Sequence, residues 1–176
     1  MRYREAKPEE LEQVLQVHRL AFNRQDESLL VTALLQDETA LPALSCVAEE
    51  DATVVGHALF TALGLVATNS PVECAVLAPL AVLPGHQNAG VGRNLIEYGC
   101  QELRQRGTMF LFVLGDPGYY TRCGFQPAIP HGLRAPYTIA PEEAWMVRPL
   151  EPHILGTVQG TVVCARSLQP ESYWRE

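Results

Sequence analysis

Leu80-Ala81-Val82-Leu83-Pro84-Gly85-His86-Gln87-Asn88-Ala89-Gly90-Val91-Gly92 is the stretch whose reading decides how this chain folds. It starts as an apolar strand, turns at Pro84-Gly85 and passes through a loop of small residues. A helical pattern follows at once: Val91, Leu95 and Gly99 recur at spacing four, beside Gly92, Ile96, Cys100 and Leu103. A strand that feeds a glycine-lined helix N-terminus builds an anion site. The first-turn amides have no acceptor inside the helix, and the macrodipole adds partial positive charge where they point. Gly90 and Gly92 carry no side chain that would hold a phosphate away from those amides. The implied ligand is a phosphate or pyrophosphate.

Other glycine-rich loops are excluded or weakened by their own requirements. A Walker loop ends in Gly-Lys-Ser/Thr, and here Arg93-Asn94 follows Gly92. A dinucleotide fingerprint wants a third small residue where this chain has Leu95. What fits is Gln87-x-x-Gly90-x-Gly92 after Leu80-Ala81-Val82-x-Pro84.

Upstream, Val72 to Leu83 is expected as the strand that ends in this loop, after a turn at Asn69-Ser70-Pro71. Pro79 within it cannot donate a ladder hydrogen bond, so a bulge or a stop in pairing is expected there. Before that turn, residues 53–66 form one long strand and residues 46–49 another. Pro8, Glu9 and Glu10 open a helix whose stripe is Leu11, Val14, Leu15, His18 and Phe22. A second helix spans about Ser28 to Gln36, and a short strand precedes both at residues 1–5. Downstream, Arg104 to Gly107 ends the central helix, and the continuous apolar run Thr108–Leu114 reads as a strand covered on both faces. Gly115-Asp116-Pro117-Gly118 breaks the chain, and residues 119–123 make barely one helical turn. Ala144–Arg148 is a last core strand, and Gly156–Ala165 an additional one in a C-terminal extension.

The chain of 176 residues, 47% apolar, is long enough to bury a core as one domain without staples. A net charge of −7 argues against general nucleic-acid or anionic-membrane binding. The N-terminus is polar and no apolar run reaches membrane-spanning length, so no signal peptide or membrane span is expected. The five cysteines are scattered, without a Cys-x-x-Cys or Cys/His cluster. Neither metal nor disulfide is indicated, and small core residues in a reducing cytoplasm are expected.

The order of elements over residues 1–150, with the phosphate loop, resembles the GCN5-related N-acetyltransferase (GNAT) family. A second motif, Tyr119-Tyr120-Thr121-Arg122-Cys123-Gly124-Phe125, resembles that family's Tyr-x-x-x-Gly-Phe element, with Tyr120 at the tyrosine position. Gly-Asp-Pro-x-Tyr-Tyr further resembles a small bacterial subgroup. The resemblance implies an α/β (α+β) fold: a mixed, mostly antiparallel central sheet of about seven strands, flanked by helices, with a splayed parallel strand pair. It implies a GNAT domain over 1–150 with residues 151–176 packed on the same domain. It also implies acetyl-CoA as co-substrate and an amine of a small molecule or peptide as acceptor. Leu80, Ala81 and Val82 would then face the pantetheine arm, with an amide near Val82 stabilising the oxyanion. Gln87, Asn88, Ala89, Gly90, Val91, Gly92 and Arg93 would hold the pyrophosphate. Many relatives carry Asn where Asp116 stands, and a carboxylate cannot donate that amide's hydrogen bond.

An ammonium has no lone pair, so a base must take its proton. Glu73, at the start of the splayed strand, is the catalytic carboxylate expected here, with His57 as an alternative. Asp26 and Glu27 serve either a cationic acceptor or the first turn of the second helix. Tyr120 is the expected acid for the leaving thiolate, since phenols ionise only near pH ~10; Tyr119 is its understudy. No Gly-x-Ser-x-Gly elbow is present, which favours direct transfer. An acyl-CoA-binding module without turnover is the alternative from another class. Monomer and homodimer are both open.

Overall fold

The computed structural model describes residues 1–67 and 72–175; the expected turn at 69–71 lies outside them. The elements in chain order are strand β1 (Arg2–Glu5), helices α1 (Leu11–Phe22) and α2 (Asp26–Gln36), then strands β2 (Leu44–Glu50), β3 (Thr53–Ala67) and β4 (Cys74–Val82). Helix α3 (Val91–Gln105), strand β5 (Phe110–Leu114) and the short helix α4 (Pro117–Tyr120) follow. Strands β6 (Gln126–Pro127), β7 (Leu133–Arg134), β8 (Trp145–Pro149) and β9 (Gly160–Val163) complete the described chain.

The main sheet runs β1-β2-β3-β4-β5-β8-β6, the seven strands expected, while β9 adds to the far end of β3 and carries β7. Pairing is antiparallel throughout that main run except for β4 with β5, the two strands joined through α3. Helices α1 and α2 cover one face, where Val14, Val17, Val31 and Leu34 pack against Val47, Leu59 and Phe112. Helix α3 covers the other, burying Leu95, Ile96 and Cys100 against Phe60, Leu77 and Met146. Its approach to the sheet is set at Gly99, where an added Cβ would stand 2.1 Å from the Phe60 ring.

The second helix begins at Asp26, two residues earlier than its apolar pattern suggests. Asp26 and Glu27 therefore both fall in its first turn, where negative charge meets the positive end of the macrodipole. At the other end of the chain, Gly160–Val163 forms the additional strand, shorter than expected, and the following residues return across α2. There the Asp37 carboxylate accepts from the Ser167 amide at 2.8 Å and from its hydroxyl at 2.9 Å.

The feature that positions the site lies in β4. It pairs with β3 from Cys74 to Val82, but with β5 only from Cys74 to Val76. Opposite Ala58 stands Leu80, and opposite Phe60 stands Leu77, so Ala78 and Pro79 together oppose Leu59. That extra residue is a bulge at the proline, where the missing amide predicts it. The two parallel strands have already parted after Val76, just before it, and from there β4 leaves an edge unpaired with β5.

Candidate active site

The loop from Leu83 to Gly90 is held at three points. Pro84 to His86 makes a tight turn, and His86 Nε2 lies 2.9 Å from Glu50 Oε2 on the neighbouring strand end. Gln87 donates its side-chain amide back to the Val82 carbonyl at 3.0 Å, so this residue shapes the loop as well as lining it. Gly90 sits at φ +82° as the N-cap of α3, and an added Cβ there would meet nothing within 4 Å. Backbone conformation, not crowding, requires that glycine. Asn88 is also left-handed, at φ 61°, a position asparagine tolerates.

The result is an open cleft of about 420 Å³ at the N-terminus of α3. Val82, Gln87, Asn88, Gly90, Val91, Gly92 and Arg93 line it, while Ala89 stands in the loop but does not. Arg122 lines the opposite wall, its Nε tied to the Gly118 carbonyl at 2.9 Å. Sequence reasoning passed over Arg122 because no local pattern links it to a loop some thirty residues away. Two guanidiniums and a row of first-turn amides thus converge on one cavity, the chemistry a pyrophosphate needs.

At Gly92 a Cβ would be in ordinary contact with the strand, 3.6 Å from Val82 and 3.7 Å from Leu80, but only 2.5 Å from the Tyr119 hydroxyl. Glycine there leaves room for the tyrosine as well as for a phosphate. Tyr119 also hydrogen-bonds Cys123, and burial pushes its phenol up to about 12.

A second cleft of about 360 Å³ opens where β4 and β5 part. Val76 to Leu80 of β4, Leu114 of β5 and Tyr120 form its inner end; Phe22, Arg24, Glu27 and the C-terminal turn form its outer end. The neighbouring tyrosines therefore line different cavities, Tyr119 the anion cleft and Tyr120 the second. The Tyr120 ring packs edge-on against Tyr119 and Phe125, with centroids 5.0 and 5.5 Å away. Gly115 makes room for it, since a Cβ there would stand 2.4 Å from the ring.

Three expectations change with the fold. Glu73 is exposed, one residue before β4, and its carbonyl accepts from the Met109 amide at 2.8 Å. This is the end where β4 and β5 are paired, so the side chain does not reach either cleft. Strand direction explains the error: the splay opens toward the loop end of β4, not toward its start. Glu27 is instead the carboxylate that lines the second cleft, its side chain paired with Arg24. His57 is fully buried beneath α1, bonded to His18 at 2.8 Å and to Ser45 at 2.9 Å, and lines no cleft. Val82 lines the anion cleft, whereas Val76 to Leu80 line the cleft that holds Tyr120, Pro79 having no amide to offer. Leu80 lines the second cleft, and the Ala81 side chain is buried on the α1 face, leaving only its backbone for a ligand.

All five cysteines are buried and free. Cys123 lines the anion cleft, and burial raises its thiol pKa, which works against a thiolate nucleophile. Among the described residues no group of three or more His, Cys, Asp or Glu side chains is placed to hold a metal. No helix among them is long and apolar enough to cross a membrane.

A bulged strand that parts from its parallel neighbour, beside a helix N-terminus carrying an anion cleft, defines an acyltransferase fold of the kind that takes a nucleotide thioester. Comparison with known proteins agrees. The model of the acetyltransferase (GNAT) domain matches residues 2–128. The uncharacterised N-acetyltransferase YjhQ of Escherichia coli K12 is 42% identical over 156 residues, covering 86% of this chain and 85% of its own. YhbS from the same strain is 31% identical over 145 residues, covering 82% and 84%. The crystal structure of E. coli YhbS with CoA superposes with a TM-score of 0.85 at 28% identity, covering 96% of this chain and 92% of that one. A GNAT family acetyltransferase from Brucella melitensis, in complex with acetyl-CoA, gives 0.74 at 29%, covering 96% and 97%. The chain belongs to the GNAT family of acetyltransferases.

Proposed function

We propose that this protein transfers the acetyl group of acetyl-CoA directly to a primary amine of a small molecule or peptide. One observation carries the reading: β4 continues past its last pair with β5, at Val76, toward a loop whose amides and arginines form an anion cleft. A pyrophosphate at the loop and a pantetheine arm along the free edge at Leu80–Val82 bring the thioester to Tyr120.

The chemistry then follows from the groups present. The amine nitrogen attacks the thioester carbon, and the carbonyl electrons move onto oxygen, where an amide of Leu77, Ala78 or Leu80 can donate to it. The now cationic nitrogen gives its second proton to water, and collapse of the tetrahedral species then breaks the carbon–sulfur bond. Tyr120 gives its phenolic proton to the departing CoA thiolate and is reprotonated from solvent. Glu27 holds the incoming ammonium and takes the proton that frees its lone pair. The buried thiols fit a reducing cytoplasm.

The test is release of free CoA thiol from acetyl-CoA across an amine panel, with acetylated product identified by mass. Thiol release that depends on the amine supports transfer. Binding of acetyl-CoA with no release beyond hydrolysis, for any amine, would make the protein an acyl-CoA sensor instead.

A further inference from the structure

Resting on that reading, we propose that the acceptor is a monoamine carried on an aromatic or branched apolar group, and that the C-terminal turn at Glu171–Trp174 selects it. The inner end of the second cleft is taken up by the thioester. What remains for the acceptor is bounded by Phe22, Leu168, Tyr173 and Trp174, with Glu27 among them. Phe22 is 38% exposed and Tyr173 40% exposed, two large apolar surfaces left facing solvent on the same cleft. Apolar surface held open in a pocket is matched by an apolar ligand.

This wall is fixed rather than loose. Trp174 donates its indole N–H to the Leu168 carbonyl at 2.7 Å and packs on Trp145 with centroids 5.6 Å apart. Tyr137 donates to the Gln169 carbonyl at 2.6 Å, and Asp37 holds Ser167 as described. A pre-formed pocket wall selects shape, because little ordering cost remains to be met on binding. The turn also lies beyond residues 2–128, which the family model matches.

The charges point the same way. A further opening, lined in addition by Asp26 and Leu29, shares Arg24, Glu27, Leu30, Ser172 and Tyr173 with the second cleft. Asp26 and Glu27 draw an ammonium inward, and Leu29, 61% exposed, continues the apolar surface. Arg24 and Arg175 also line the acceptor cleft, paired with Glu27 and Glu171. A second cation on the acceptor would meet these guanidiniums, which disfavours polyamines.

The experiment uses the full chain, saturating acetyl-CoA and thiol release as readout. The panel holds phenethylamine, isopentylamine, spermidine and a lysine-containing peptide. Phenethylamine and isopentylamine should exceed the other two in kcat/KM by at least about tenfold, the scale of apolar pocket discrimination. Tyr173→Ala should raise KM for phenethylamine by about fivefold or more, with kcat and acetyl-CoA affinity unchanged and an unaltered melting temperature. Better turnover of spermidine or peptide would overturn this substrate class while leaving the transferase reading intact. Equal losses on every amine in Tyr173→Ala would overturn selection by the turn. Acetyl-CoA binding with no turnover of any amine would remove the transferase reading, and this proposal with it.

Discussion

The paired histidines under α1 make the protein acid-sensitive by an amount that can be worked out. His18 and His57 are fully buried, with His18 Nε2 2.8 Å from His57 Nδ1 and His57 Nε2 2.9 Å from Ser45 Oγ. His18 Nδ1 is buried without a partner among the described residues, and its ring stacks on Phe22 at 6.2 Å. Burial holds His18 down to about 4, only partly opposed by the Glu27 carboxylate. Burial also keeps His57 well below the usual histidine range, and His18 lowers it further. In the unfolded chain both return to about 6.5. Between those values the unfolded state binds more protons, so stability rises with pH and is lost as pH falls from about 6.5 toward 4. For His18 alone that loss is about 2 kcal/mol at about pH 5 and about 3 kcal/mol once titration is complete. Against a typical domain stability of roughly 5–15 kcal/mol this is a large share. Urea unfolding at about pH 7.5 and about pH 5 measures it. His18→Phe keeps the ring stack, removes this titration and should flatten the slope between the two conditions. A wild type with no difference between them, or a His18→Phe variant with the same slope, would refute the buried neutral pair.

Three other outcomes check the site and its scaffold. Gly90→Asp puts a carboxylate on the open side of the anion cleft and should weaken CoA binding at least about tenfold by calorimetry. Gly90→Asn shares the shape and tolerates the left-handed backbone, so it should retain most of the affinity if charge is responsible. Gly99→Ala drives a methyl group into the Phe60 ring and should cost about 1–3 kcal/mol in denaturant unfolding, since the ring is buried on all sides. Tyr120→Phe keeps the packing on Phe125 and removes only the hydroxyl; kcat should fall roughly 10²-fold with CoA affinity little changed, and a kcat within about twofold of wild type would mean Tyr120 is not the acid.

The features that were legible in the chain are those written locally. The loop at Pro84–Gly92 announces itself through proline and glycine, and the stripe on α3 through its period. The bulge in β4 follows from one residue, because Pro79 lacks a donor whatever surrounds it. Glu27, Arg122 and the C-terminal turn were harder, since each reaches its cleft through the packing of distant elements. Glu27 and Tyr173 border one opening although 146 positions separate them in the chain, the difference between their residue numbers. Glu73 shows the converse failure. Its place in the strand was nearly right, but the strand opens toward its loop end, where Pro79 stands, and stays paired with β5 at the end where Glu73 precedes it.

Asp116 illustrates how one substitution within a motif can leave geometry intact and change chemistry. Its carbonyl accepts from the amides of both Tyr119 and Tyr120 at 3.0 Å, and its carboxylate accepts from Gly118 N at 2.8 Å. Those bonds make a single helical turn, and successive residues on such a turn point about 100° apart. The turn therefore sends Tyr119 toward Gly92 and the anion cleft, and Tyr120 toward Gly115 and the acyl cleft. An asparagine would cap the same turn equally well. With Asp116 the same bonds keep both tyrosines in place, but the side chain has no amide N–H to donate.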